Sequence, residues 1–276
     1  MKKMLKPGQI VMYAILLVLA VICLYPLYFS LVSSLKDNTA IFMTPFSLPA
    51  QWRFSNYVFA WKQGQIGTYF FNSVFLTVVS VVSTAFFSIM GANVLARFEF
   101  KWNPLIYIFI GAGMMIPAQS TIIPLAFIFG KLGLTNNYLV MILLFTAFNI
   151  PMTVIILTGF MKNIPRELEE AAVIDGCSNG RVLLKILVPM SAPAIASASI
   201  FNFIMIWNNL LFPLMFLSKD SLKTLPIGLL NFYGFFTQEY AGTMAAINIT
   251  IIPIMLVYIL LQEKVEKGLT AGALKG

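Results

Sequence analysis

Six long runs without a charged side chain constrain this chain more strongly than any other feature of its sequence. Each run reaches the roughly 20 residues that an α-helix needs to cross about 30 Å of hydrocarbon. Hydrophobic residues make up 59% of the chain and charged residues only 10%, whereas soluble proteins carry about 25% charged residues. The sequence therefore predicts an all-α polytopic membrane protein with six transmembrane helices. The predicted spans cover residues 10–34, 69–96, 102–130, 138–161, 186–217 and 241–261.

Basic residues are distributed unevenly between the loops that these spans define. With both termini on the inner side, twelve of the 18 Lys and Arg residues fall on inner segments and six on outer ones. Short loops rich in Lys and Arg stay in the cytoplasm, so both termini are expected there. This orientation accounts for the net charge of +8, and no nucleic-acid partner is predicted. The predicted domains are a cytoplasmic N-terminus (1–9), a membrane domain (10–261) containing an inner loop (162–189), and a cytoplasmic C-terminal tail (262–276).

The residues missing from the spans exclude several function classes. None of the six runs contains Asp, Glu, Lys, Arg or His, and the whole chain has no histidine. Proton-coupled transport needs an ionisable group at membrane depth, so it is disfavoured, as is a polytopic membrane enzyme. The two cysteines cannot form a disulfide framework or a zinc cluster, and no catalytic residue, metal or cofactor is predicted. Sodium binding by backbone carbonyls at broken helices stays open, which leaves a sodium-coupled secondary transporter as an alternative.

Uncharged polar side chains occur inside or at the edges of the apolar runs. In lipid each amide must find a partner, so it faces either another helix or a wet cavity. The first alternative predicts hydrogen bonds and packing between helices. The second predicts a path for a neutral polyhydroxylated solute, in which amides pair with hydroxyl groups and aromatic rings cover C–H faces. The candidate path residues are Gln119, Asn149, Trp207 and Asn208.

The inner loop at 162–189 has the clearest local structure signals of the chain. Pro165 followed by three glutamates is typical of a first helical turn. Gly176 is expected just past the end of this helix, because glycine adopts positive φ without strain. Ser178 is then expected to cap a second helix. The first helix is predicted to have about ten residues and a length of roughly 15 Å, and by itself this pattern also fits an ordinary interfacial hairpin.

A longer pattern in the same loop resembles a known family. The letters E-A-A-x-x-D-G begin at Glu170 and are followed, after nine residues, by I-x-x-P. This resembles the EAA loop of binding-protein-dependent ABC importer permeases, which implies the type I ABC importer permease fold and a coupling helix that docks into an ATPase subunit. The chain lacks a Gly-rich loop ending in Gly-Lys-Ser or Gly-Lys-Thr, so ATP hydrolysis is expected on a separate subunit. The implied docking residues are Glu170, Ala171, Ala172, Asp175 and Gly176.

Shorter motifs resemble the carbohydrate-uptake branch of that family, the maltose- and oligosaccharide-type permeases. They include A-R-F at 96–98 and the tail at 268–276, whereas Cys177 and Leu183 depart from the usual alanine and phenylalanine. The resemblance implies a permease of the bacterial plasma membrane that forms half of the path for a sugar or oligosaccharide. A permease for a non-sugar neutral solute is the alternative. The implied partners are a second homologous permease chain, a dimeric ATPase, an extracellular or periplasmic solute-binding protein, the sugar and membrane lipid.

Overall fold

A computed structural model describes residues 7–235 and 239–273, and within these ranges the chain forms α-helices and short 3-10 or π turns but no strand. The bilayer favours this outcome, because a helix satisfies its own backbone hydrogen bonds where no water is available. The predicted all-α class is confirmed. In chain order the helices are α1 (Pro7–Ser33), α2 (Asn38–Met43), α3 (Ser55–Lys62), α4 (Ile66–Arg97), α5 (Asn103–Ala112), α6 (Ile122–Lys131), α7 (Tyr138–Lys162), α8 (Glu167–Ile174), α9 (Asn179–Val182), α10 (Val188–Met190), α11 (Ala192–Trp207), α12 (Leu211–Phe216), α13 (Leu225–Phe235) and α14 (Tyr240–Ala273).

Four of these helices are long and apolar enough to cross a membrane without interruption. They are α1, α4, α7 and the part of α14 from Tyr240 to Leu260. Their ends lie within a few residues of predicted spans one, two, four and six. The agreement follows from the physics of the prediction, because span length and hydrophobicity are properties of the local sequence.

Predicted spans three and five are each divided into two helical parts. Span three consists of Asn103–Met115 and Ala118–Lys131, which are bent by 83° at their junction. Span five consists of Asn179–Met190 and Ala192–Trp207, bent by 74°. With each bent pair counted as one span, the described part of the chain has the predicted six.

Prolines account for both bends. Pro117 has extended backbone with ψ of 118°, and it separates the two parts of span three. Pro189 and Pro193 flank the break in span five. Proline lacks the N–H that the helical ladder requires and its ring collides with the preceding turn. Span five also begins earlier than the predicted residue 186, because the helix that starts at Asn179 in the inner loop runs directly into it.

The described residues group into two compact units. One unit is drawn from Met1–Gly67 and Gly228–Ile252, and the other from Thr68–Ile227 and Pro253–Gly276. In the first unit, α1 and α14 are joined by two hydrogen bonds: Ser30 Oγ donates to Asn248 Oδ1, and Asn248 Nδ2 donates to Ser30 O, each at 3.1 Å. The most apolar window of α1 has none of its residues buried.

In the second unit, α4, α7 and α11 meet in a core of small and aliphatic side chains. Ala92 and Ala96 of α4 and Ala194 of α11 are buried together with Leu157 and Met161 of α7. Alanine at such positions lets helix backbones approach closely, which increases van der Waals contact between helices in lipid.

A buried polar contact also joins α11 to α7. Asn202 Nδ2 donates to Thr153 Oγ1 at 3.0 Å, and both side chains are buried. Thr153 Oγ1 donates in turn to Asn149 O of its own helix at 2.8 Å. The threonine hydroxyl therefore has a second partner, whereas the asparagine amide depends on the threonine.

This asymmetry predicts unequal effects of two near-isosteric substitutions. Thr153→Val leaves the buried Asn202 amide without its acceptor and should lower the free energy of unfolding by about 1–2 kcal/mol. Asn202→Leu leaves Thr153 with its second partner and should lower the free energy of unfolding by less than about 1 kcal/mol. Thermal unfolding of the purified protein in detergent measures both values. Equal losses, or a larger loss for Asn202→Leu, would contradict the assigned direction of the bond.

Candidate functional site

The inner hairpin begins with α8, an eight-residue helix with three glutamates in its first turn. There they stabilise the helix, because the N-terminal end of the helix dipole is positive. The prediction that Pro165 lies within this turn is wrong. Arg166 O accepts the first helical bonds, from Glu169 N at 2.9 Å and Glu170 N at 3.0 Å, so Arg166 is the N-cap and Pro165 precedes it.

Gly176 ends α8 as the sequence predicts. Its φ is +79°, the left-handed region that favours glycine. Gly176 N donates to Val173 O and Cys177 N donates to Ala172 O, each at 2.9 Å, which together form a Schellman motif. A Cβ built on Gly176 meets nothing within 4 Å. A substitution there is therefore opposed by backbone strain and not by a collision.

The second helix of the hairpin begins where it is predicted to, but without the predicted side-chain bond. Ser178 is the N-cap of α9, and its side chain makes no capping hydrogen bond. Its carbonyl accepts the first helical bond, from Val182 N at 3.0 Å. After Val182 the chain passes into a π turn, Leu183–Leu187, and so into span five.

Four of the five predicted docking residues face outward and one does not. The exposed ones are Glu170, Ala171, Asp175 and Gly176. Ala172 is only 8% exposed, whereas the next two residues, Val173 and Ile174, are 54% and 86% exposed. Successive helical residues point about 100° apart, so an inward Ala172 turns its neighbours outward. The exposed apolar pair is not among the predicted docking residues, although the helical period indicates it once Ala172 is known to face inward.

Two ion pairs attach the hairpin to the end of α4. Arg97 Nε lies 2.6 Å from Glu169 Oε1, and the two side chains are only 8% and 18% exposed. Arg97 Nη2 also donates to Ile164 O at 3.1 Å. In the second pair the charges are reversed, with Arg166 on the hairpin and Glu99 just after α4; it is exposed, with 3.1 Å between Nη2 and Oε1. From the sequence, Arg97 is predicted as an inner basic residue and as part of the A-R-F motif, but its pairing with Glu169, 72 positions away, is not predicted.

A second candidate site is a cavity of about 370 Å³ bordered by two helix ends. Gln119 lies in the 3-10 turn Ala118–Thr121, and Asn208 follows the last residue of α11. Met205 and Asn209 also line the cavity, and no charged side chain is among its described lining residues. Non-helical backbone at membrane depth is tolerated where it is buried in protein or lines a cavity. Across the described residues, no group of His, Cys, Asp or Glu is placed to hold a metal ion.

The other two candidate path residues lie outside the described lining of this cavity. Asn149 Nδ2 donates to Phe145 O of its own helix at 2.7 Å. Trp207 is 1% exposed, and its ring stacks on Phe203 with 5.5 Å between centroids. Phe70 meets the same indole edge-on at 6.0 Å. The structure thus brings Gln119 and Asn208 together and places Trp207 in the packing between helices.

Family membership follows from a comparison with known proteins. The family described as "Binding-protein-dependent transport system inner membrane component" matches residues 86–271, a range that contains both the hairpin and the cavity. The chain belongs to this family. It is therefore a membrane permease subunit of an ABC importer, as the EAA-like pattern predicts.

Individual members of the family align with almost the whole chain. The diacetylchitobiose uptake system permease protein of Streptomyces coelicolor is 35% identical over 265 residues, which are 95% of this chain and 88% of that protein. The trehalose/maltose transport system permease protein of Thermococcus litoralis is 32% identical over 278 residues, 100% and 99% of the two chains.

A solved structure confirms the permease fold. The crystal structure of a bacterial ABC transporter involved in the import of the acidic polysaccharide alginate contains a chain that superposes with a TM-score of 0.81. The likeness covers 95% of this permease and 99% of that chain at 24% sequence identity. At this identity the likeness concerns the fold alone.

The different surroundings of Trp207 and Asn208 predict different effects on stability. Trp207→Ala removes a buried ring from two aromatic contacts and should lower the free energy of unfolding by about 3–5 kcal/mol. Asn208→Ala should change it by less than about 0.5 kcal/mol, because the side chain is exposed and bonds only to Ile204 O one turn back in the described contacts. Thermal unfolding in detergent measures both, and similar values would contradict a packing role for Trp207.

Proposed function

We propose that this permease is one of two homologous membrane subunits of an ATP-driven importer for a sugar or oligosaccharide. Two relatives that align over almost the whole chain support the solute class. The permease of Streptomyces coelicolor is named for diacetylchitobiose, and that of Thermococcus litoralis for trehalose and maltose. A non-sugar neutral solute is the alternative within the family. Family membership favours ATP-driven import over a sodium-coupled secondary transporter.

The exposure of the hairpin is the observation that supports docking of an ATPase subunit to this permease. Val173 and Ile174 are apolar and exposed in the last turn of α8, and the acidic residues Glu170 and Asp175, close to them in the chain, are exposed as well. An apolar centre with a charged rim is the usual composition of a protein–protein interface. A dimeric ATPase subunit, separate from this chain, docks here. Gly176 fixes the turn that presents the apolar pair, while Ala172 packs beneath it.

The same docking sets the orientation of the chain in the membrane. A cytoplasmic ATPase requires the hairpin at 162–189 to be cytoplasmic, and with six spans both termini are then cytoplasmic as well. The excess of Lys and Arg on these segments supports this assignment. The membrane domain covers 10–261, between a short N-terminus and the tail at 262–276.

The cavity lined by Gln119 and Asn208 belongs to this subunit's half of the translocation path. Amide groups and apolar side chains without net charge suit a solute rich in hydroxyl groups and lacking charge. A second permease chain supplies the other half, and a solute-binding protein outside the membrane delivers the sugar. Asn149 and Trp207 support the helices around the path.

ATP and the loaded binding protein drive the cycle because they bind preferentially to one of two conformations. ATP closes the ATPase dimer, the hairpin moves with it, and the cavity opens to the outside, where the sugar is released into it. Hydrolysis returns the complex to the conformation that is open to the cytoplasm. Since the two ligands are thermodynamically linked, the loaded binding protein must also favour ATP binding.

Two substitutions at Gly176 test the docking role. Gly176→Val forces a β-branched residue into positive φ at a cost of about 1–2 kcal/mol, which corresponds to roughly a fivefold to thirtyfold loss of the ATPase from the purified complex. Gly176→Asn is the matched control, because asparagine tolerates this conformation and space is open around the position. Both variants should reach the membrane. Full ATPase retention and uptake by Gly176→Val would refute the docking role.

The solute class is tested with the importer reconstituted in liposomes with its ATPase and binding protein. We expect maltose, trehalose or diacetylchitobiose to stimulate ATP hydrolysis, and uptake to persist without sodium but to stop without ATP. Gln119→Ala and Asn208→Ala should each raise the half-saturating sugar concentration by about twofold to tenfold, the value of one hydrogen bond. Stimulation only by a non-sugar solute, or uptake driven by sodium, would contradict the proposal.

A further inference from the structure

Among the six described spans, span two alone has neither an internal proline nor a break. In the part of the chain that the structure describes, three spans contain an internal proline, namely Pro26, Pro151 and Pro253. Spans three and five are bent by 83° and 74°. Only α4 has neither a proline nor a break, over 32 residues and a length of about 48 Å. Helices bend at prolines and breaks, so α4 is the stiffest of the six.

The inner end of α4 is fixed to the docking hairpin. Arg97 is the last residue of α4, and its pair with Glu169 of α8 is largely buried. Its second contact, with Ile164 O, holds the chain segment that leads into α8. Separating a buried ion pair leaves an uncompensated charge, so the end of α4 moves with the hairpin.

The outer end of α4 is fixed to the loop that precedes α13. Asn72 Nδ2 donates to both Ser221 O and Lys223 O at 2.9 Å. Ser73 Oγ accepts from Leu225 N at 2.8 Å. The bonds of Asn72 satisfy carbonyl groups of the loop at 218–224, which we call the outer loop, and the bond of Ser73 holds the first residue of α13. A displacement of α4 along its axis therefore displaces the outer loop.

The fully buried positions in the middle of α4 carry small side chains. From Thr77 to Ala92 every buried residue of α4 is small, while the partly buried Val79, Val81 and Ile89 pack against the neighbouring cores. The buried residues are Thr77, Ser80, Thr84, Ser88 and Ala92. Small side chains at these positions let α4 pack closely against its neighbours, and packed helices can slide past each other by small amounts in shear motions.

We propose that α4 is a rod that transmits movement of the docking hairpin to the outer loop, with Arg97 and Asn72 as the positioning residues at its two ends. The proposal rests on the proposed docking of the ATPase at the hairpin. It adds a direct connection from that hairpin to the outer face through span two, besides the movement of spans four and five to which the hairpin is covalently joined.

The test measures movement of the outer loop when ATP binds. Spin labels are placed at Lys219→Cys and Met43→Cys, both exposed, in a chain in which Cys23 and Cys177 are replaced by serine and alanine. The full importer, with its ATPase, is reconstituted in nanodiscs, and pulsed EPR records the distance distribution with and without ATP under conditions that prevent hydrolysis. The ratio of the two distance populations gives an equilibrium constant for the movement.

We expect ATP to change this ratio in the parent protein, and Arg97→Gln or Asn72→Ala to reduce the change by about twofold to thirtyfold. Arg97 and Asn72 are 25 positions apart on one helix, about 38 Å. At this separation the effects of two independent substitutions are additive. If α4 is a rod, breaking either end disconnects it, and the double variant should resemble the single ones. The charge exchange Arg97→Glu with Glu169→Arg should regain part of the loss.

Arg166→Gln is the matched control, because the pair that Arg166 forms with Glu99 is exposed and weak. It should leave the ATP-induced change intact. Three results would contradict the proposal that α4 transmits movement. They are a parent protein whose outer loop does not respond to ATP, single variants with the full response, and a double variant whose losses add. Loss of the ATPase from the parent complex would instead contradict the docking proposal. Failure of the docking proposal is therefore seen in ATPase retention, and failure of the proposal for α4 in the EPR distances.

Discussion

Inside a bilayer every backbone N–H and C=O must find a partner within the protein, and this requirement organises the whole chain. A continuous helix such as α4 meets it alone, but a broken span needs side chains to complete its hydrogen bonds. At the helix ends around the cavity, Thr121 Oγ1 donates to Ala118 O at 2.7 Å and Asn209 Oδ1 accepts from Phe212 N at 3.1 Å. The interruptions of helical geometry in this part of the chain thus border the cavity that Gln119 and Asn208 line.

The sequence predicts the spans well because their physical cause is local. The length and hydrophobicity of an uncharged run do not depend on the residues that surround it in the fold. Similarly, Gly176 has positive φ because of its local position just past the end of α8. Pro117 likewise indicates where span three is interrupted. The 83° angle between its parts is not predictable from the proline, because packing against other helices sets it.

The partners of the polar residues could not be predicted, since they depend on how each helix is rotated about its axis. Asn149 and Asn202 look alike in the sequence, yet the first bonds to its own helix and the second to a neighbouring one. Ala172 belongs to the docking pattern but faces inward, while Val173 and Ile174 form the exposed surface. The pairing of Arg97 with Glu169 joins distant parts of the chain and has no local signal.

The length of the first helix has a consequence for the lipid environment of the permease. The 26 residues of its span, from Gly8 to Ser33, extend about 39 Å, longer than a hydrocarbon core of about 30 Å. A helix with this mismatch tilts or thickens the bilayer around it. Its described hydrogen bonds to α14 are at Ser30, near one end. The length of the lipid acyl chains, which sets the thickness of the hydrocarbon core, therefore contributes to the tilt of this helix.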